Sequence, residues 1–534
     1  MVLAAWAARA LFLLRQSDAR GPASVLYRGD TPFYLESALA MVQGRPYDSG
    51  IPFHPPGFTT LLAALLRLTG VSAAQEGFDA LPAKLILGLL GALAIGVFFL
   101  LARRVAGRTV ALVALPLSIF SFGHYVQSTA INAESSFLLL ALTVVLGWSL
   151  VAERCLQPAP AGGAGADLKA GAAGPGPVAG PGLQAGARAP RLAAGPGLPA
   201  MAGVLGLLAG AAALMRPEFL LTMSLLLIVA LLLGRRRALL PAALFLLGAL
   251  VLLAPWTLHC RRNIAAVNRA NAERLPRPLP EWVLVSAGGP LNFATANNDH
   301  ASGAFDTRLI EKLAPGRPAL ELDLAHAEIH RLYVDGYAVG ARWMLANPSR
   351  ALALFARKLD LAFDALALGY LQGNLPGGLT GERRPVDQFV PRARAFRWAQ
   401  AALCLLGIVH LRGVLADRRR RAAALFLAAH GLATLLAILA FFGYARFGML
   451  LAPIFWLLLA AGMTAIFGWL RGPGRAAPPR LSAGRAVAGL IGLLLLVETL
   501  SAASGSQAFE LSGDYLPGTR RINPDDRVLI QARR

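Results

Sequence analysis

The chain has 534 residues, 56% of them hydrophobic, and a mean hydropathy of +0.56, a value that soluble proteins of this length rarely reach. Its formal net charge of +22 would point to nucleic acid in a soluble protein, but no basic patch with interleaved aromatics occurs and that class is set aside. Three cysteines, Cys155, Cys260 and Cys404, lie far apart, so neither a disulfide framework nor a CxxC metal site follows and they read as packing residues.

Apolar runs approaching the roughly 20 residues needed to cross a bilayer recur along the chain. Eleven spans are expected, near 1–14, 81–101, 108–122, 134–151, 200–214, 218–233, 238–256, 397–411, 422–442, 447–470 and 486–502. Backbone in lipid must satisfy its own hydrogen bonds, so the fold class is all-α and polytopic. The first span is short and lacks the charged start of a signal peptide, and it reads as a transmembrane helix with a late or trimmed start.

The loops alternate in charge. Arg103, Arg104, Arg108, Arg235–Arg237, Arg412, Arg418–Arg421, Arg471, Arg475, Arg480 and Arg485 fall in short loops on one side, against Arg216 and Arg446 on the other. The positive-inside rule makes the arginine-rich loops cytoplasmic. Residues 1–151 then form an N-terminal transmembrane half whose first loop, 15–80, is outside. Residues 152–199, rich in Gly, Ala and Pro, read as a flexible cytoplasmic linker. Residues 200–256 return to the membrane, 257–396 form an extracytoplasmic cap with helix-like spacing over 322–363, 397–502 are C-terminal spans, and 503–534 are an outer tail.

This map sends Asp30, His54, Glu134, Arg216, Glu218, His259 and Arg446 to one side of the membrane, although they come from distant parts of the sequence. Ionisable groups at that depth mark functional sites. Asp30, in GDTP, either caps a juxtamembrane helix or acts as a base. His54, in HPPG, heads a rigid turn into an apolar helix over 58–69 and either contacts phosphate, metal or sugar hydroxyl, or bonds its own loop. Glu134, in NAESSF, is a substrate or metal contact unless Asn132 and Ser135 merely cap its helix. Arg216, in MRPE, either joins Arg446 in binding phosphate or pairs with Glu218 across a tight turn. Arg446, in YARFG, offers a phosphate-binding fork or else snorkels to headgroups. His259 is either a metal ligand or simply interfacial. The cofactor is left open: His54, Glu134 and His259 supply mixed N/O ligands for a divalent ion, but their spacing does not demand one. P-loop and GxG patterns are absent, so a nucleotide donor held in a Rossmann domain is not expected.

The run GDTPFYLESALAMVQGRPY followed by HPPGFTTLL, then NAESSF, MRPEFLL, APWTLHCRRN and YARFGMLLAPIF, resembles the GT-C class of integral-membrane glycosyltransferases. The similarity is to the bacterial branch related to protein O-mannosyltransferases and lipid A aminoarabinose transferases. It implies a multi-pass enzyme of the bacterial inner membrane that takes a sugar from a polyprenyl-phosphate donor to a lipid, glycan or protein acceptor on the outer face. It also implies that Asp30 is the general base. The second acidic site, Glu134, lacks the family's neighbouring acid, and APWTLHCRRN has His-Cys where an Arg-Asn pair is common. A transporter or flippase, a non-catalytic scaffold, and an oligosaccharide ligase or polymerase are the competing readings. A transporter predicts repeat symmetry or broken helices at mid-membrane, whereas here the acidic and histidine groups gather at one face.

Overall fold

The computed structural model describes residues 1–20, 31–45, 51–70, 80–156, 197–305, 308–313, 323–367, 394–443 and 445–470. All regular elements among them are helical. The N-terminal half holds α1 (Val2–Arg20), α2 (Thr31–Val42), α3 (Gly57–Leu68), α4 (Leu81–Ala106), α5 (Arg108–Ile119), α6 (Phe122–Thr129) and α7 (Glu134–Leu156). Then come α8 (Gly197–Met215), α9 (Phe219–Gly234) and α10 (Leu239–Ala270). The cap carries α11 (Gly289–Ala296), α12 (Arg308–Leu313), α13 (Ala327–Ala346) and α14 (Pro348–Ala367). The C-terminal helices are α15 (Arg394–Val414), α16 (Arg418–Ala440), α17 (Ala445–Gly448) and α18 (Ala452–Leu470).

Among the described residues, six stretches are long and apolar enough to cross a membrane: α4, α7, α8, Phe219–Ala270, α16 and Arg446–Leu470. Phe219–Ala270 holds two helices, because the chain reverses at Arg235, whose φ of 48° breaks the helical geometry between α9 and α10. The chain is therefore a multi-pass all-α membrane protein. The expected count of eleven is not reached by this measure. Spans 1–14, 108–122 and 397–411 correspond to shorter apolar helices, and 486–502 lies outside the described residues. Pro116 sits inside α5, and the chain breaks after Ile119 before re-entering a helix at Phe122. The expected linker overlaps regular structure at both ends, since α7 continues to Leu156 and α8 starts at Gly197; 157–196 lie outside the described residues.

Small residues set the helix spacing. A Cβ on Gly206 would stand 2.1 Å from the Phe245 carbonyl oxygen, and one on Gly248 would stand 2.2 Å from that of Gly203, so α8 and α10 touch backbone to backbone. Lipid gives no hydrophobic drive between helices, and such close packing supplies the attraction instead. At the far end of the bundle the Glu153 carboxylate of α7 takes Arg104 from α4 and, at 3.1 Å, Arg419 from α16. Asp417 caps α16 by accepting from the backbone N–H of Arg419. With 23 residues, α7 spans about 34 Å, so Glu134 and Glu153 stand near opposite faces of a bilayer.

The cap has its own core. Ile264 and Val267 at the end of α10, Leu279, Leu291, Ile310, Ile329 and Leu332 pack around Ile51 from the first loop. Helix α10 runs on past the expected span end at 256, and its last turns, already within the expected cap region, pack in this core. The helical stretch expected over 322–363 divides at Asn347–Pro348, because the residue before proline is forced out of helical geometry.

Gly206→Val should therefore lose folded, monodisperse protein in detergent, by the few kcal/mol typical of overpacking. Gly203→Ala, whose Cβ enters open space, should melt like wild type in the same thermal scan.

Candidate active site

A cavity of about 1370 Å³ lies where the first loop, the starts of α7 and α9, the end of α16 and the cap meet. It is lined by His54, Glu134, Arg216, Glu218 and Arg446, five of the residues singled out from sequence. It exceeds the several hundred Å³ of a usual small-ligand pocket, leaving room for two reactants side by side.

Glu134 is the first residue of α7, and its own backbone N–H bonds the Asn132 side chain at 3.1 Å. Asn132 therefore caps the helix, as the plainer sequence reading had it, and the Glu134 carboxylate is left for other partners. It accepts from Arg216 at 2.8 Å and stands 3.8 Å from Nε of Arg446. Arg216 also binds Glu218 across the Arg-Pro-Glu turn. Burial opposes the Arg216 charge, but Glu218 and Glu134 outweigh it and hold the guanidinium above its usual pKa. Two acids and two arginines thus form a quartet with no net charge. The Phe447 ring centroid lies 4.4 Å from the Arg216 guanidinium and 5.2 Å from that of Arg446, so one ring is within cation–π reach of both.

The two arginines differ in consequence. Arg216 spends its fork on two carboxylates, which is the internal pairing that sequence left open. Arg446 shares Glu134 at a longer distance and lines the cavity, so it is the group best placed to meet an anion.

From His54 the chain enters α3 through Pro55 and Pro56. A Cβ on Gly57 would stand 2.6 Å from the Leu214 carbonyl carbon, so the start of α3 lies directly on the end of α8, one residue from the Arg216 turn. The His54 ring is surrounded by Phe33 at 4.2 Å, Phe53 at 5.2 Å and Tyr34 at 6.3 Å. The cap closes over this corner: Ala287 N–H donates to Pro52 at 2.8 Å, and the Ser286 hydroxyl donates to the Phe53 carbonyl.

Asp30 lies outside the described residues. Phe33 and Tyr34, three and four residues beyond it, line the cavity. His259 does not join the site. It is exposed on α10, stacked on Trp256 at 5.1 Å and bonded to Asn263 at 2.9 Å. Among the described residues no three His, Cys, Asp or Glu side chains gather to hold a metal. The candidate set His54, Glu134 and His259 is therefore split, and Glu134 is committed to arginines.

Sequence reasoning missed the cap wall and one lysine. Trp282, Tyr333 and Tyr337 line the cavity, and partial burial raises the Tyr337 phenol pKa. Lys358 of α14 is wholly buried. Its signal was present: Ala351, Leu354, Ala362 and Leu366 form the buried stripe of α14, and Lys358 falls on it.

Glu134→Gln leaves two arginines facing each other at one buried acid fewer. It should cost about 3 kcal/mol, read as a lowered melting temperature. Combining it with Arg216→Gln should cost less than the sum of the two single changes, because they share one contact.

No family model matches the chain, and no curated protein does. Several solved structures are similar to it at low identity. The archaeal oligosaccharyltransferase AglB from Archaeoglobus fulgidus, in complex with an inhibitory peptide and a dolichol-phosphate, is 14% identical, over 95% of this chain and 56% of that one, with a TM-score of 0.45. ArnT from Cupriavidus metallidurans bound to undecaprenyl phosphate is 15% identical, over 87% of this chain and 76% of that one, with a TM-score of 0.34. The chain thus spans little more than half the length of the archaeal enzyme that it matches.

Proposed function

We propose that this protein is a membrane glycosyltransferase that moves a sugar from a polyprenyl-phosphate donor to an acceptor on the outer face of the bacterial inner membrane, with inversion. The observation that carries the reading is the cavity at one end of the bundle. It offers an arginine, Arg446, held at its wall, an apolar floor from Leu220, Leu221, Leu436 and Ala437, and an aromatic roof from Trp282 and Tyr337. A donor of this class has those three parts: a lipid tail, a phosphate at the interface, and a sugar whose faces stack on rings. The resemblance of the GDTPFYL, HPPG and NAESSF elements to GT-C enzymes supports the same reading.

In the mechanism, Asp30 accepts the proton of an acceptor hydroxyl. The freed oxygen attacks the anomeric carbon on the face opposite the phosphate. The new C–O bond forms as the carbon–phosphate oxygen bond breaks, and polyprenyl phosphate leaves with the electron pair. Charge grows on the phosphate oxygen during this step, and a fixed guanidinium there stabilises the transition state more than the ground state. Glu134 holds Arg446 without matching its charge alone, since Arg216 shares the same carboxylate. His54, which lines the cavity from its aromatic corner, bonds the sugar or phosphate in this reading. One displacement inverts the anomeric centre. The acceptor is a protein, lipid or glycan hydroxyl or amine that enters beneath the cap.

General-base catalysis contributes about 100- to 10,000-fold. Asp30→Asn should accordingly abolish release of polyprenyl phosphate from radiolabelled polyprenyl-phosphate sugars while the protein still folds. Equal consumption of donor by both proteins would sink the assignment. Arg446→Ala should raise the apparent KM for donor more than that for acceptor, and an unchanged donor KM would remove Arg446 from the phosphate.

A further inference from the structure

The segment that carries Arg446 is short, and its hold on the rest of the protein is unusual. Helix α16 ends at Ala440, and its last carbonyls have no partner within the helix. Lys358 Nζ donates to the Leu439 carbonyl at 2.8 Å, and Asn297 Nδ2 donates to the Ala440 carbonyl at 2.7 Å. The two side chains are joined, because Lys358 Nζ also donates to Asn297 Oδ1 at 2.9 Å. Both residues are fully buried. A lysine at this point faces the negative end of the α16 dipole, which favours it. Burial pushes the amine down to about 7, and even the neutral amine keeps two N–H donors, enough for both acceptors.

Beyond Ala440 the chain lies on α14 itself. A Cβ on Gly443 would stand 2.0 Å from the Lys358 carbonyl oxygen, and one on Gly448 would stand 1.8 Å from that of Ala362. The Gly443 N–H also donates to the Gly303 carbonyl at 2.8 Å. Arg446 therefore sits between two points at which the backbone presses on successive turns of α14, just past a helix end that Lys358 ties down. Asn297, at the end of α11, carries the same tie to the cap helix whose residues Pro290, Leu291 and Asn292 line the cavity.

We propose that Lys358 is a positioning residue: together with Asn297 it fixes the end of α16 against α14 and so sets Arg446 at the place where the donor phosphate binds. This rests on the phosphate-binding reading of Arg446 given above. It makes α14, a cap helix, responsible for the geometry of an arginine that belongs in sequence to the C-terminal membrane helices.

The test compares wild type, Lys358→Met, Arg446→Ala and the double variant as full-length protein in detergent, titrated with a C15 polyprenyl phosphate. Hydrogen exchange is followed over 441–448. Lys358→Met should weaken binding roughly tenfold, a usual size for coupling between sites, and should speed exchange over 441–448. In the Arg446→Ala background it should add no further loss. A purely structural lysine would lower the melting temperature while leaving the affinity of the folded fraction unchanged. If Lys358→Met fails to fold, Asn297→Asp replaces it, since it keeps the acceptor for Lys358 and removes the donor to Ala440. Unchanged affinity or unchanged exchange, with wild type binding normally, overturns the positioning role alone. A full additive loss in the Arg446→Ala background overturns it too. Failure of wild type to bind the phosphate overturns the donor reading, and the proposal falls with it.

Discussion

The Glu134–Arg216 pair is the contact on which the candidate site depends. A carboxylate at the head of α7 and a guanidinium in the α8–α9 turn are both nearly excluded from water, and each would be costly there alone. Their pairing draws three distant parts of the sequence to one point: the start of a span, a tight turn, and the α17 segment that brings Arg446 and Phe447. It also fixes what each arginine can do. Arg216 faces two acids at close range, whereas Arg446 stands farther from Glu134 and at the cavity wall.

Two cores support this arrangement. The membrane bundle packs through small residues and carries a second charged network at the far end, where Glu153 gathers Arg104 and Arg419. The cap packs through ordinary aliphatic residues around Ile51 and the end of α10. The cavity lies between these two cores, where the proposed donor would set its lipid tail against one and its sugar against the other.

Much of this was legible in the sequence because the membrane imposes strong rules. Hydropathy located α4, α7, α8, α9, α10, α16 and α18, and the arginine bias put His54, Glu134, Arg216, Glu218 and Arg446 on one side before any contact was known. The GDTP run pointed to a helix soon after Asp30, found to begin at Thr31, and HPPG to a helix over 58–69, found as Gly57–Leu68. What sequence could not show was pairing. That Asn132 caps the helix without help from the Ser135 hydroxyl, that Arg216 takes both acids, and that His259 turns away onto Trp256 are outcomes of side-chain geometry, which spacing does not encode. Lys358 was passed over for a different reason. A cation within an amphipathic helix is ordinarily assigned to the wet face, and only its register with Leu354 and Ala362 marks it as buried.

The bond between Ser286 and Phe53 joins residues 233 positions apart, and Ile51 completes the cap core from the same loop. The ribosome makes that loop long before the chain that will cover it. The N-terminal loop must therefore wait, with its apolar Ile51 and Phe53 uncovered, while α4 to α10 enter the membrane, and loop closure over such a separation is intrinsically slow. The Pro52, Pro55 and Pro56 that flank His54 stiffen the loop during that interval and lower the entropy lost when the cap finally docks. The HPP turn thus serves assembly as well as the finished site, since it keeps one half of a distant joint in shape until its other half has been synthesised.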